Sequence, residues 1–395
     1  MILQTRRAAS LAVAALLASG ACAALGAPAY AAGTETDLAI TAAGTRATDR
    51  VQGKIAWAKI ANQGEGTPRK LLVRVDTSKV DDTKLVVGAY TEGGCDVTGD
   101  TKPELWVCEL AAGEIPGPGE TTEVPIVLFK AAEDSTGPYT APVTISIESP
   151  DDTDESNNSV EVDVELTPES GVDLGVIVPD VQTRLDLDTF EEDGSPVRPG
   201  DTALLWSEIA NQGDLTAQGI KLTYQLPKGV AFLPVEGCEI SADKRAAVCE
   251  DDAFLLESDT VLVVPLAVEV GADVAAPVTL QGGSLTAEAF GALSPQARLS
   301  QQATKPSFHR AEVREIKESE FADLDPTDNS DDFAVVVTAP NGGGGGGGGL
   351  PVTGAQAGLI GGIGAGVVLV GVAMFLVARR RRVVLVAPED EKTDA

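Results

Sequence analysis

Short runs of β-branched and aliphatic residues, partly alternating with polar ones, recur through the middle of the chain. KLLVRV (70–75), KLVVGAY (84–90), TEVPIVLF (122–129), VTISIE (143–148) and VEVDVEL (160–166) come first. TALLWSEI (202–209), IKLTYQL (220–226), TVLVVPLAVEV (260–270) and FAVVVT (333–338) follow. Alternation with period two is the mark of a half-buried strand. Clusters of Gly, Pro, Asn and Asp separate the runs, and no helical stretch of convincing length intervenes. The pattern predicts an all-β protein of antiparallel sandwiches, each sheet burying one face.

The same pattern contains a duplication. Thr36-Asp37-Leu38-Ala39 is echoed by Val172-Asp173-Leu174-Gly175, and Trp57 to Gly64 (WAKIANQG) by Trp206 to Gly213 (WSEIANQG). A Gly-Cys…Val-Cys-Glu segment occurs with Cys95 and Cys108, then with Cys238 and Cys249. Val124-Pro125-Ile126 matches Val264-Pro265-Leu266, and Ala141-Pro142-Val143-Thr144 matches Ala276-Pro277-Val278-Thr279. Asn157-Asn158-Ser159 closes the series opposite Asp328-Asn329-Ser330. The shared order predicts two copies of one domain, at 32–168 and 169–340. The tryptophans are expected in the cores and the Asn-Gln-Gly segments in turns. The second copy is longer between Asp173 and Trp206. It also carries a more basic, less β-like insertion over roughly 290–322, read as a surface excursion or a partner-binding loop.

Both ends of the chain look like addresses. Arg6 and Arg7, the apolar SLAVAALLASGACAALGA and an Ala29-Tyr30-Ala31 site predict a signal peptide over 1–31, cleaved between Ala31 and Ala32. A lipobox reading of Cys22 lacks the usual upstream Leu, and a twin-arginine reading lacks its surroundings. Near the other end, eight glycines form a flexible linker over 341–349 and run into Leu350-Pro351-Val352-Thr353-Gly354. Residues 357–378 then carry no charge, enough to span about 33 Å as a helix. Arg379 to Arg382 follow and are expected to stay cytoplasmic.

Motif, span and basic stop together resemble the cell-wall sorting signal of Gram-positive surface proteins, here covering 350–395. Leu350, Pro351, Thr353 and Gly354 match its fixed positions, and Val352 takes the free one. The resemblance implies recognition by a sortase, cleavage after Thr353 and covalent attachment of that residue to peptidoglycan. The span would then serve only in a membrane-held precursor, and the mature chain would be secreted and wall-anchored. Thirteen residues after the arginines, more than such signals usually carry, leave an alternative open: an uncut single-span membrane protein. The duplicated strand ending in N-x-G, the later Leu226-Pro227-Lys228-Gly229-Val230 and the closing N-N-S or D-N-S also resemble Ig-like repeat domains of bacterial surface proteins, of the cell-adhesion-related type. That likeness implies architecture and a structural or adhesive role.

Composition narrows the chemistry. A net charge of -31 excludes a basic nucleic-acid footprint. Aromatics at 4% make a sugar-cleaving cleft a poor fit. His309 is the sole histidine, and there is no G-x-S-x-G elbow or phosphate loop, so no catalytic residue, cofactor or metal is expected. Cysteines at equivalent places in an exported chain predict the disulfides Cys95–Cys108 and Cys238–Cys249. Acidic clusters at 151–155, 191–193 and 323–328 read as solvated turns, with Ca²⁺ or an unknown extracellular ligand or protein as the alternative.

Overall fold

The structure is a computed structural model that describes residues 35–100, 102–294 and 323–339. The signal segment with Cys22, Ala31 and Ala32, the glycine linker, residues 350–354, the apolar span and the arginines lie outside these, as does most of the 290–322 insertion. Among the described residues the only helix is a single 3-10 turn, Glu155–Asn157, and no helix is long and apolar enough to cross a membrane.

The first unit holds β1 (Leu38–Ala42), β2 (Thr45–Thr48), β3 (Gly53–Asn62), β4 (Leu72–Asp76), β5 (Leu85–Ala89), β6 (Cys95–Thr98), β7 (Leu105–Glu109), β8 (Thr121–Lys130), β9 (Tyr139–Glu148) and β10 (Ser159–Thr167). The second holds β11 (Leu174–Ile177), β12 (Thr183–Asp186), β13 (Glu191–Pro196), β14 (Thr202–Asn211), β15 (Thr216–Gln225), β16 (Val230–Phe232), β17 (Cys238–Ile240), β18 (Ala246–Leu256), β19 (Thr260–Val270), β20 (Val278–Leu293) and β21 (Ser330–Val337). Each unit is a sandwich of two sheets. In the first, β1-β3-β8-β5 faces β2-β10-β9-β4-β7-β6; in the second, β13-β12-β14-β19-β16, with β11 also on β14, faces β17-β18-β15-β20-β21.

The duplicated motifs prove to be paired strands. Trp57 lies opposite Pro125 in the β3–β8 ladder, and Trp206 lies opposite Pro265 in the β14–β19 ladder. Alternation decides which residues face inward. Ala58 and Ile60 are buried on β3, as are Leu205 and Ile209 on β14. The tryptophans have the opposite phase and sit on the outer face, half-buried, rather than in the cores as the sequence led us to expect. The cores are aliphatic instead: Leu38, Ile60, Val73, Leu128 and Ile145 in the first unit, and Leu174, Leu205, Ile209 and Val268 around Tyr224 and Phe232 in the second.

Both cysteine pairs are disulfides. Cys95 faces Cys108 across β6–β7, and Cys238 faces Cys249 across β17–β18. Each ties the edge strand of its sheet to the neighbouring strand. Closing loops of 13 and 11 residues contributes about 3 kcal/mol apiece in the chain-entropy account. The second insertion begins later than its sequence implied, because β20 runs on to Leu293.

Candidate functional site

The polar chemistry of the chain gathers where the two units meet. At its centre is Lys54 on β3, whose side chain is fully buried. Its Nζ lies 3.0 Å from Asp173 Oδ1, 2.7 Å from Asp325 Oδ2 and 3.0 Å from Asp328 Oδ2, all from the second unit. It also donates to the Arg46 carbonyl at 3.2 Å. Asp325 Oδ2 accepts in addition from the Arg46 amide at 2.7 Å and Thr45 Oγ1 at 3.1 Å. Its Oδ1 holds Thr327 Oγ1 at 2.6 Å, and that hydroxyl also reaches the Gly44 carbonyl. The 323–328 cluster is therefore no solvated turn: Asp325 and Asp328 face the buried lysine, Asp325 also binds the backbone of the other unit, and Asp323 accepts from the Leu174 and Asp325 amides of its own unit.

Electrostatics follow from this packing. Burial alone would lower the Lys54 ammonium; the charges of Asp328, Asp173 and Asp325 outweigh it and hold it above its usual range. Burial lifts Asp173 and Asp328 to about 7 against the opposing charge of Lys54. Asp323 rises to about 6, mainly by burial. Asp325 alone goes down: burial would raise it, but the Lys54 charge and its hydrogen bonds win. A single buried cation cannot keep this many carboxylates ionised, so the cluster retains protons close to neutral pH.

A second set of contacts extends the seam along the outer face of β3 and β8. Lys59 Nζ donates to Asp331 Oδ1 at 2.5 Å and to the Asp332 carbonyl at 2.7 Å, and lies 3.6 Å from Glu123 Oε1. Burial, helped by the Asp331 charge, pushes Glu123 up to about 8. Asp180 accepts from the Thr121 amide at 2.9 Å and the Ala334 amide at 2.7 Å, and burial lifts it to about 6. Gln212 completes the seam. Its Oε1 accepts from the Ile55 amide at 2.7 Å and its Nε2 donates to the Ile55 carbonyl at 2.9 Å, as a neighbouring strand would. A Cβ at Gly175 would come within 2.6 Å of Gln212 Nε2, so the glycine there makes room for this amide. The first copy has Ala39 at that place, and its Gln63 is exposed.

The remaining predicted positions are placed as follows. Asp151 is bound by Arg69 at 2.6 Å, and Asp154 caps the 3-10 turn through the Ser156 amide at 3.0 Å. Glu192 and Asp193, on the β12–β13 hairpin, pair with Thr183 and Arg184. The Asn-Gln-Gly segments do form turns: buried Asn62 and Asn211 each donate to two carbonyls of adjoining loops. Sequence reasoning missed Lys54, Lys59, Glu123, Asp180 and Gln212. Each is an isolated polar residue inside a strand or a turn, without a cluster of its own.

The fold and this seam define a tandem pair of Ig-like β-sandwiches joined through a buried polar interface. No protein-family model matches the sequence, and neither does any curated protein sequence. Among solved structures, the B domain of a biofilm associated protein is similar at 8% identity, covering 64% of this chain and 82% of that one, with a TM-score of 0.23. The collagen adhesin (CNA) from S. aureus is similar at 10% identity, covering 78% and 94%, with a TM-score of 0.19. The BSP domain of a biofilm associated protein is similar at 7% identity, covering 64% and 55%, with a TM-score of 0.22. Overlaps of this depth leave activity to be argued from the chain's own residues.

Proposed function

We propose that the chain is a non-enzymatic cell-surface protein that is exported, cut after Thr353 by a sortase and joined through that residue to peptidoglycan. One observation carries this reading: Leu350-Pro351-Val352-Thr353-Gly354 stands directly before an uncharged span at 357–378 and the Arg379–Arg382 stop. Each part has a physical job. Pro351 fixes its φ and keeps Leu350 extended, a shape an enzyme cleft can grip. The span holds the precursor at the membrane, and the arginines set its direction. The glycines separate the sandwiches from the attachment point at Thr353.

Two disulfides fit an oxidising, extracellular setting. The buried seam makes the two sandwiches suitable as a stiff spacer that presents their loops to an extracellular ligand or protein. On this reading the domains run from 32 to 168 and from 169 to 340, the membrane is a stage of the precursor only, and no nucleic acid is a partner.

Replacing Thr353 by Ala should abolish covalent wall attachment while leaving export and folding intact. Fractionation after muramidase digestion checks this: the unmodified protein should be released with wall fragments, and the variant should remain with the membrane or medium. Wall-linked Thr353→Ala protein would overturn the anchoring reading. Unmodified protein that keeps its full mass in the membrane fraction would favour the uncut single-span alternative.

A further inference from the structure

Beside the Lys54 cluster, the outer face of β3 and β8 does not close fully on the second unit. It leaves a cleft of about 350 Å³, walled by Trp57, Lys59 and Glu123 on one side and by Thr327, Asp328 and Asp331 on the other. Seams between domains are common places for small-molecule sites, and this volume lies toward the small end of their range.

Side-chain oxygens of two residues that line it lack hydrogen-bond donors. The Glu123 side chain is only 10% exposed, and its buried Oε1 receives no hydrogen bond from the described residues. Lys59, the nearest cation at 3.6 Å, directs its hydrogen bonds to Asp331 and the Asp332 carbonyl. Both Asp328 carboxyl oxygens are also buried without a hydrogen bond, Oδ2 lying 3.0 Å from the Lys54 ammonium as an ion pair. Buried oxygens left unbonded are rare in native proteins. The half-buried indole of Trp57 adds an aromatic wall, and aromatic faces attract cations.

We propose that this cleft binds a small organic cation, a primary alkylammonium whose N–H groups satisfy Glu123 and Asp328 and whose carbon chain lies along Trp57. An ammonium group brings three donors and one positive charge to two donor-starved carboxyl groups. An anionic ligand would meet Glu123, Asp328, Asp331 and Asp332 with Lys59 as the one cation in the cleft wall. A bare metal ion fits the geometry poorly, because no group of three acidic or other ligating side chains among the described residues is placed to hold one.

Titration of the full-length chain with cadaverine, followed by isothermal calorimetry, tests the proposal. Saturable one-site binding is expected, weakening about fiftyfold from about pH 8 to about pH 6 as the proton on Glu123 competes with the ligand. Lys59 on β3, Glu123 on β8 with Asp180 behind it, and Asp328, Asp331 and Asp332 from the second unit all face the site. Lys59 keeps its charge throughout that range, so the carboxyl groups set the pH response. Glu123→Gln and Trp57→Leu should each weaken binding at least about fivefold. Absence of saturable heat, or affinity unchanged in Trp57→Leu, overturns the proposal, and so does unchanged affinity in a folded Glu123→Gln. Calcium binding more tightly than cadaverine would overturn the assignment to an organic cation.

Discussion

Lys54→Met is expected to destabilise the folded chain by about 3–5 kcal/mol near neutral pH, because removing one partner of a buried charge cluster strands the others. Met matches the length of the lysine stem, so little cavity is added and the lost charge dominates. The deficit should depend on pH in a definite direction. Asp173 and Asp328 titrate near 7 in the folded protein, above the usual carboxylate value. Between about pH 4 and about pH 7 the folded state therefore holds protons that the unfolded chain releases, and stability falls as pH rises through that window. Lys54 adds no slope in that window: its stabilisation is complete below about pH 10.5 and is lost only as pH climbs through its raised folded value. Without Lys54 the carboxyl groups hold their protons more firmly still. The variant's deficit should thus be largest near neutrality and shrink toward acid. Urea unfolding at about pH 7 and about pH 5 measures it; a deficit that grows toward acid, or none at all, would be contrary.

Asn211→Ala is expected to cost about 3 kcal/mol, since it strands several buried backbone groups at once. Asn211 is fully buried. Its Nδ2 donates to the Leu215 carbonyl at 2.8 Å and the Leu256 carbonyl at 2.9 Å, and its Oδ1 accepts from the Gly213 amide at 3.2 Å. One side chain therefore ties the β14–β15 turn to the end of β18. The following glycine is fixed too, because a Cβ at Gly213 would come within 2.2 Å of the Gly171 carbonyl oxygen. Gln212 between them faces the other unit, so Gln212→Ala should loosen the seam while sparing the second core. Denaturant midpoints of the two variants separate these roles. An Asn211→Ala protein as stable as the Gln212→Ala protein would contradict the assignment.

Much of the fold was legible because alternation and duplication are written in the strands themselves. The paired motifs Trp57/Val124 and Trp206/Val264 turned out to be neighbouring strands in equivalent ladders, and the cysteine pairs were joined as their positions implied. The burial of the tryptophans was misjudged because size was weighed above phase. Read from Ala58 and Ile60, the alternation of β3 turns Trp57 outward and Lys54 inward, and that inward lysine was the one local signal of the site. The rest depended on how the copies meet. At the position of Lys54 the second copy has Ala203, and where the first has Lys59 and Glu123 the second has Glu208 and Val263. The edge that Gln212 fills in the first unit is taken in the second by β12, whose Arg184 pairs with Ala203. No single-residue pattern reports such a long-range complement, which is why the 323–328 carboxylates looked like a solvated loop.

Differential scanning calorimetry of the full-length chain near neutral pH tests most directly whether the Lys54 cluster welds the sandwiches into one body. A single cooperative transition is expected in the unmodified protein, both units unfolding together, that separates into two in Lys54→Met. Two well-resolved transitions in the unmodified protein, unaltered by Lys54→Met, would contradict it.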